Sequence, residues 1–433
     1  MQKIPKIFSL LALSSACAFA AWNDDYKFPA LRDPYAWPFT QNSIWNTPIG
    51  SNAKYVPAEI KKATLAGMSV DEDIIILKPS ATPVDIVEND AGWDPSKTRC
   101  NSLTGRVIDR APIPSTFSTD PGYIGHTPNM AAAILKDDGT TLIQNQPFHR
   151  CGPGEAATSQ TEYRNVDIYK DDGIMGSHGG TAMSALGGAL RLGELVPGAP
   201  PIHHVLKIEL DAPNYACRDG NHYRWPADKG DACGGSGVHA SVEGALYALP
   251  PSIDIASMGL ETEPAKYLAR ALQDYGAYAV DNTGWNVYCL ATEWSPNGRV
   301  VDEFEKAWGF KIDPIERKNA WSRDMDKIFM ALNVVDNNVA NNVGGGGNRR
   351  APMAPSNFGK PGSAISRENL MAKQAQNRGD FNYSGSDKIT TINGRNFSLD
   401  ENSDKKSDKN STGKPFEASG FLIPLLHGKV LTH

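Results

Sequence analysis

Residues 171–210 read DDGIMGSHGGTAMSALGGALRLGELVPGAPPIHHVLKIEL, and this stretch concentrates the chain's unusual residue choices. Glycines crowd both sides of His178, so the backbone there can adopt positive φ angles and approach a neighbouring group without an intervening Cβ atom. Residues 202–210 alternate in the manner of a strand, which places His204 on one face and His203 on the other. We therefore predict that glycine-permitted turns around His178, together with this strand, shape a polar pocket.

The first twenty residues predict a secretory signal peptide. Lys3 and Lys6 give a positive start, residues 7–13 form a short apolar run, and Ala18-Phe19-Ala20 is a small-x-small cleavage site. Cleavage near Ala20 would make the protein secreted, periplasmic or attached to the cell surface. A lipoprotein anchored through Cys17 is disfavoured, because Ser14 stands where a large aliphatic residue is needed.

Charge and hydropathy narrow the range of partners. The 433 residues carry a formal net charge of −6, which becomes −8 when residues 1–20 remove two lysines and no acids. An acidic exported chain without a Lys/Arg cluster is not typical of proteins that bind nucleic acid or anionic lipid. No later apolar run reaches the roughly 18 residues of a membrane helix, so no membrane span is predicted. The oligomeric state stays open.

Five cysteines follow the predicted signal peptide, and none belongs to a CxxC motif. In an oxidising compartment they favour disulfides over metal sites. Proximity in sequence favours Cys217 with Cys233 and Cys100 with Cys151, which leaves Cys289 over. Other pairings are compatible with the sequence.

The residue patterns predict a β-rich α+β fold, with one large extracellular domain over residues 22–332 and several peripheral helices. Residues 22–60 are broken by prolines and rich in aromatics, which indicates an extended arm that fills the core or, alternatively, a sugar-stacking platform of Trp37 and Trp45. Helices are predicted at 57–65, from Thr262 to Gly276, and near 301–308 and 323–332. A polar, Asn- and Gly-rich composition predicts a disordered linker over 333–415, before a short apolar tail at 416–433.

Two chemistries fit the polar residues, and a third, at a metal site, does not. Hydrolysis of a glycosidic bond needs two carboxylates, one of them protonated, and Glu194 and Asp281 are candidates, with a structural ion pair of Glu194 with Arg191 or an equivalent cation as the alternative. β-Elimination of a uronic acid polymer needs a base and a group that neutralises the sugar carboxylate, for which His178, His204 and Arg191 are suitable types. No histidine spacing typical of a metal site occurs, so no metal ligand and no cofactor are predicted.

Several motifs resemble a family of secreted bacterial proteins that carry an IxHALR strand, a YxWPA segment and a YG…ADN turn. The matching segments are Ile202 to Lys207, Tyr223 to Ala227, and Tyr275-Gly276 leading to Asp281-Asn282 and Trp285. Val205 and Lys207 depart from that pattern, where the family has Ala and Arg. The resemblance covers most of residues 40–310; it implies one extracellular domain with a shared site, which adds weight to His204, Asp281 and Asn282, and names no substrate.

Taken together, the sequence predicts a secreted protein that acts on an extracellular polysaccharide, as a glycoside hydrolase ahead of a polysaccharide lyase. A glycan-binding or surface protein without catalysis is the alternative from another class. The predicted catalytic residues are His178, Glu194, His204 and Asp281. The predicted substrate-binding residues are Arg191, Tyr223, Arg224, Trp225, Asn282 and Trp285.

Overall fold

The computed structural model describes residues 28–119, 124, 127–217, 222–231, 233–235, 240–364, 389–392 and 395–398. The chain divides into two units, residues 1–375 and 376–433. In the second unit, strands Ile389–Ile392 and Arg395–Ser398 form an antiparallel hairpin. The predicted signal peptide, the predicted tail and the rest of the predicted linker beyond residue 364 lie outside the described residues.

The first unit is rich in strands and has few helices, in agreement with the predicted β-rich character. The helices are α1 (Glu263–Asp274), α2 (Val300–Trp308) and α3 (Ala320–Met330), with short 3₁₀ turns at Ala212–Asn214, Ile255–Met258 and Val343–Gly345. The strands are β1 (Tyr55–Pro57), β2 (Ser69–Ile76), β3 (Pro83–Asn89), β4 (Leu103–Pro112), β5 (Ala132–Leu135), β6 (Thr141–Gln146), β7 (His149–Arg150), β8 (Ala157–Ser159), β9 (Thr161–Glu162), β10 (Val166–Asp167), β11 (Met175–His178), β12 (Leu206–Asp211), β13 (Leu246–Ala248), β14 (Ala277–Thr283), β15 (Tyr288–Ser295), β16 (Gly298–Arg299) and β17 (Asn333–Val335).

A large mixed sheet organises this unit, in the order β1-β17-β13-β14-β12-β15-β2-β5-β6-β10, with β16 on β15 and β9 on β6. The pairs β12–β14, β15–β2 and β2–β5 are parallel, whereas β12–β15 is antiparallel. A second sheet has the order β4-β3-β8-β7. Because β2, β12, β14 and β15 lie near the middle of the large sheet, side chains at their ends come together although they are distant in sequence.

The large sheet buries both faces. Leu206 and Ile208 of β12 pack in one apolar cluster with side chains of the three helices, such as Leu268 and Trp321. Val205, just before β12, packs in the other cluster with Trp45 and other residues of the N-terminal arm. The alternation predicted for residues 202–210 is therefore present, in a strand that begins at Leu206 and whose register against β14 shifts between Ile208 and Glu209.

The aromatic residues of the arm fill the core. Trp45 is 1% exposed, and its Nε1 donates a hydrogen bond to the carbonyl of Gly173 at 2.7 Å. Gly187 and Gly188 lie against its indole ring, where a Cβ atom would approach ring carbons to 2.4 and 2.5 Å. Trp37 is also buried, so the alternative of a sugar-stacking platform formed by Trp37 and Trp45 is wrong.

Two predicted segments, the helix at 57–65 and the linker that begins at residue 333, differ in the structure. Residues 58–68 form no helix, because Ala58, Ile60 and Ala63 are buried as an irregular segment with Glu59 at a φ of 51°. Beyond residue 332 the chain still belongs to the first unit: β17 pairs with both β1 and β13, and Ala351 and Ala354 are buried. Backbone pairing orders this stretch despite its polar composition, which by itself indicated a linker.

Both predicted disulfide pairings are present, Cys100–Cys151 and Cys217–Cys233, and Cys289 is a free, buried thiol. These two disulfides fit a protein of an oxidising, extracellular compartment. Among the described residues, none of the helices is both long enough and apolar enough to cross a bilayer.

The buried arm gives a first prediction, on stability. Trp45→Ala should lower the free energy of unfolding by about 3–5 kcal/mol, since it removes a large buried ring and leaves a cavity. The matched control is Trp285→Ala, which removes a side chain of a residue that is 38% exposed and should change the same quantity by less than about 0.5 kcal/mol. Equal costs in urea denaturation would contradict the role assigned to the arm.

Candidate functional site

A cleft of about 1160 Å³ opens at the ends of the central strands. Its floor contains acidic side chains from three of them: Asp71 of β2, Glu209 of β12 and Asp281 of β14. Two large rings that line it, Trp93 and Trp285, are 40% and 38% exposed. Further residues that line the cleft are Asn129, Gln146, Tyr163, Gly179, Gly180, Lys229, Asp231, Asn282 and Cys289.

Strand register explains why these acids meet. Glu209 stands opposite Asp281 on one side and opposite Cys289 on the other, and Cys289 stands opposite Ser69 in β2. Residues in register across a sheet project on the same face, and so does Asp71, two residues after Ser69. The side-chain amide of Asn129 bridges Asp71 and Asp281, since its Nδ2 donates to Oδ2 of each at 3.0 Å.

The glycines after His178 make room for two of these carboxylates. A Cβ atom on Gly179 would lie 2.1 Å from Asp281 Oδ2, and one on Gly180 would lie 2.2 Å from Asp231 Oδ1. Gly179 also has a φ of 54°, a backbone conformation that favours glycine. The glycine-permitted approach predicted around His178 is therefore an approach of carboxylates to the main chain.

His178 lies below the cleft floor, fully buried among acids. Its Nε2 is 3.5 Å from Asp73 Oδ1, 3.7 Å from Asp71 Oδ2 and 3.8 Å from Glu209 Oε1. Among the residues that the structure describes, neither ring nitrogen has a hydrogen-bond partner, and the same holds for Glu209 Oε1. Burial, and then the Lys207 ammonium, lower the pKa of His178 well below its usual value, so the ring is neutral.

Burial also dominates the acid–base behaviour of the carboxylates. Loss of solvent raises the pKa of Asp71, and it raises the pKa of Glu209 further, with help from the neighbouring Asp71. For Asp281, burial and then the nearby Asp231 charge raise the pKa to about 8, despite backbone hydrogen bonds that favour the ionised form. A carboxyl group with such a pKa is protonated at neutral pH and can donate a proton.

Two groups in the described part of the chain have the composition and spacing of metal ligands. In one, ligand atoms of Asp71, His178 and Glu209 lie within 4.8 Å of one another. In the other, carboxylate oxygens of Asp231, Glu243 and Asp281 do so. Asp231 is exposed, whereas the other five are buried. Glu243 Oε2 accepts the backbone N–H of Asp231 at 2.9 Å and so holds that loop against the sheet.

The predicted catalytic residues are divided between two places. Asp281 lines the cleft, whereas His178 lies buried beneath its floor. Glu194 and His204 form an ion pair outside it: His204 Nε2 is 3.0 Å from each carboxylate oxygen of Glu194, and its Nδ1 donates to the carbonyl of Val205 at 2.8 Å. Arg191 lies near this pair and bonds to Glu293 at 2.8 Å.

Of the other predicted binding residues, Asn282 and Trp285 line the cleft. Tyr223, Arg224 and Trp225 are not among the residues that line it. Arg224 pairs with Asp336 at 3.2 Å, and Trp225 packs on the apolar cluster of the arm. The segment that follows them contributes Lys229 and Asp231 to the cleft.

Sequence reasoning missed most of the acids at this site, namely Asp71, Asp73, Glu209, Asp231 and Glu243. One local signal was available: Lys207 and Glu209 place two charges on successive positions of one face of an apolar strand, which is unusual unless that face is functional. Another was the run Asp71-Glu72-Asp73 at the start of an isoleucine-rich strand.

Comparison of this chain with protein-family models, with curated proteins and with solved structures found no match. The resemblance to the family with the IxHALR, YxWPA and YG…ADN motifs therefore stays a prediction.

The contact of Gly179 with Asp281 predicts a specific cost. Gly179→Ala should lower the free energy of unfolding by about 1–3 kcal/mol more than Gly139→Ala, because the new methyl group overlaps the carboxylate. Gly139 is the matched control, since it also has a positive φ, of 70°, and its Cβ would meet nothing within 4 Å. Chemical denaturation measures both variants, and equal losses would show that the carboxylate does not press on Gly179.

The pair of His204 and Glu194 predicts a pH-dependent stability. Burial alone would lower the pKa of His204, but the Glu194 carboxylate and the Val205 carbonyl raise it above its ordinary value. Because the pKa of His204 is higher in the folded protein than in the unfolded chain, protonation of His204 stabilises the fold. This stabilisation is complete at pH values below the unfolded-state pKa of about 6.5, and it is lost as the pH rises through the folded-state pKa. Glu194→Gln should therefore cost about 1–3 kcal/mol near pH 6 and less near pH 9. Thermal unfolding of both proteins across this range measures it, and a gap that widens with pH would refute the pairing.

Proposed function

We propose that this protein hydrolyses glycosidic bonds in an extracellular polysaccharide, and that Asp281 and Asp231 are its catalytic carboxylates. One observation carries the proposal: both line an open cleft, their oxygens lie within 4.8 Å of each other, and only one of them is buried. Two carboxyl groups in unlike environments are what this reaction needs, because one must be protonated while the other is ionised.

Asp281 acts as the general acid. With a pKa of about 8, the carboxyl group is protonated at neutral pH, and it donates this proton to the oxygen of the leaving sugar as the glycosidic bond breaks. Hydrogen bonds from the backbone N–H of Asn282 at 2.8 Å and from Asn129 Nδ2 at 3.0 Å orient the carboxyl group. Such support holds a catalytic group in one position without help from the substrate.

Asp231 acts as the nucleophile. It is exposed to the cleft, and Asn282 Nδ2 donates to its Oδ1 at 3.3 Å. Retaining glycosidases hold their two carboxyl groups about 5–5.5 Å apart, whereas inverting enzymes leave about 6.5–9.5 Å for a water molecule. The close approach of Asp231 and Asp281 favours the retaining route, in which Asp231 forms a glycosyl ester that water then hydrolyses.

The rest of the cleft fits a neutral or cationic polysaccharide. Trp93 and Trp285 expose ring faces of the kind on which sugars stack. Among the described residues that line it, the acidic side chains are Asp71, Glu209, Asp231 and Asp281, and the basic one is Lys229. Such a lining offers little positive charge to neutralise the carboxylates of a uronic acid polymer, and His204 and Arg191 are engaged with Glu194 and Glu293 elsewhere. These observations favour hydrolysis over β-elimination.

A panel of neutral, amino and uronic acid polysaccharides tests the proposal. Reducing ends should appear without the ultraviolet absorbance of unsaturated products, and Asp281→Asn and Asp231→Asn should each lower kcat by about 10²–10⁴. Asp137→Asn is the control, because it removes an exposed carboxylate in the turn between β5 and β6. Unsaturated products would establish a lyase; binding without cleavage would establish a glycan-binding protein.

The stereochemistry of the product provides a sharper check of the assigned pair. Proton NMR of the first product formed should show the same anomeric configuration as the substrate, because two displacements occur at one carbon. An inverted product would exclude Asp231 as the nucleophile even if both substitutions abolish activity.

A further inference from the structure

Below the cleft floor, three carboxyl groups, those of Asp71, Asp73 and Glu209, surround His178. The neighbouring cation, Lys207, can balance the charge of only one of them. Lys207 is fully buried, and its ammonium has three acceptors: Asp73 Oδ2 at 2.7 Å and the carbonyls of Ser184 and Ala185 at 2.9 and 3.0 Å. An ammonium has three N–H donors, so none is left for Asp71 or Glu209. Two buried carboxylates without a cation are costly, unless they take up protons or a positive ion.

The surroundings of His178 distinguish between these two possibilities. Its Nε2 faces oxygens of Asp73, Asp71 and Glu209 at 3.5–3.8 Å, which is too far for a good hydrogen bond. Ligand atoms around a tetrahedral ion with bonds of about 2.0–2.2 Å lie roughly 3.3–3.6 Å apart. The distances from Nε2 to the Asp71 and Glu209 oxygens, 3.7 and 3.8 Å, exceed this range by only about 0.1–0.2 Å, so a small inward shift of the side chains would direct these atoms at a common centre.

A proton shared in a hydrogen bond between Asp71 and Glu209 would account for these two carboxyl groups, but it would leave His178 without a partner. His178 is fully buried and has no hydrogen-bond partner for either ring nitrogen in the described part of the chain, which is unusual for a polar side chain unless it binds a ligand. Asn129 holds Asp71 Oδ2 from the second coordination shell, in the way that outer partners orient metal ligands.

We propose that Asp71, His178 and Glu209 bind one divalent transition-metal ion at the floor of the cleft, with Zn²⁺ as the first candidate. Two carboxylates and a neutral imidazole give a site that a doubly charged ion makes electrically neutral. The imidazole favours a transition metal over Ca²⁺ or Mg²⁺, which prefer oxygen ligands alone. Since Asp71 and Glu209 also line the cleft, the ion would face it.

Titration of the full-length protein tests this site without any polysaccharide, so its failure is separate from failure of the proposed hydrolysis. After removal of bound metals by a chelator, calorimetric titration with ZnCl₂ should show one ion per chain. Glu209→Gln should weaken this binding at least about tenfold, and so should His178→Gln, whereas Asp137→Asn should leave it unchanged. Binding that survives both ligand substitutions, or a preference for Ca²⁺ over Zn²⁺, would overturn the proposal.

A second measurement on the wild-type chain covers the case in which the variants do not fold. In ¹⁵N NMR of histidine-labelled protein, addition of Zn²⁺ should shift one ring nitrogen of a single, solvent-protected histidine. Co²⁺ should replace Zn²⁺ and give the visible absorption of a site of low coordination number. If neither signal appears at stoichiometric metal, the excess charge is balanced by protons and the proposal is wrong.

Discussion

The cost of removing carboxylates from water is the constraint on which this structure depends. Asp73, Glu209 and Asp281 are buried and Asp71 is mostly buried, on strands near the middle of the large sheet, where desolvation penalises each ionised form. Lys207 compensates one of them, and Asn129 holds two others by hydrogen bonds. A fold that needs only stability has no reason to collect such groups, because apolar side chains of similar size would pack there at lower cost.

The arrangement is held by backbone positions more than by side-chain chemistry. Gly179 and Gly180 permit Asp281 and Asp231 to lie against the main chain, and the adjoining His178 thereby comes beneath the floor of the cleft. Gly187 and Gly188 do the same for Trp45 on the other side of this segment. The first pair of glycines in this stretch thus makes room for the site, and the second pair makes room for the core.

Part of this was predictable from local patterns. The glycines around His178, the alternation of residues 202–210, the two disulfides and the three helices could all be read in short windows of sequence. The site as a whole could not, since Asp71, Glu209 and Asp281 meet through the register of strands more than 70 residues apart in the chain. Parallel pairing of distant strands leaves no signature in a single sequence.

Residue type alone also gave a wrong prediction of the role of individual side chains. Glu194 in its apolar frame and His204 in its motif have the residue types of catalytic groups, yet the fold pairs them with each other. The alternative of a structural ion pair with Arg191 or an equivalent cation describes Glu194 better, with His204 as the partner. Composition misled in the same way beyond residue 332, where Asn and Gly residues close turns with their own hydrogen bonds.

A crystal structure of the inactive Asp281→Asn variant, soaked with an oligosaccharide fragment of the polysaccharide that the wild type degrades, would show where the substrate binds. We expect a sugar whose anomeric carbon lies beside Asp231 and whose leaving oxygen faces residue 281, with a neighbouring sugar stacked on Trp93 or Trp285. A sugar bound elsewhere, for example beside Arg191 and Glu194, with the cleft empty, would contradict this expectation.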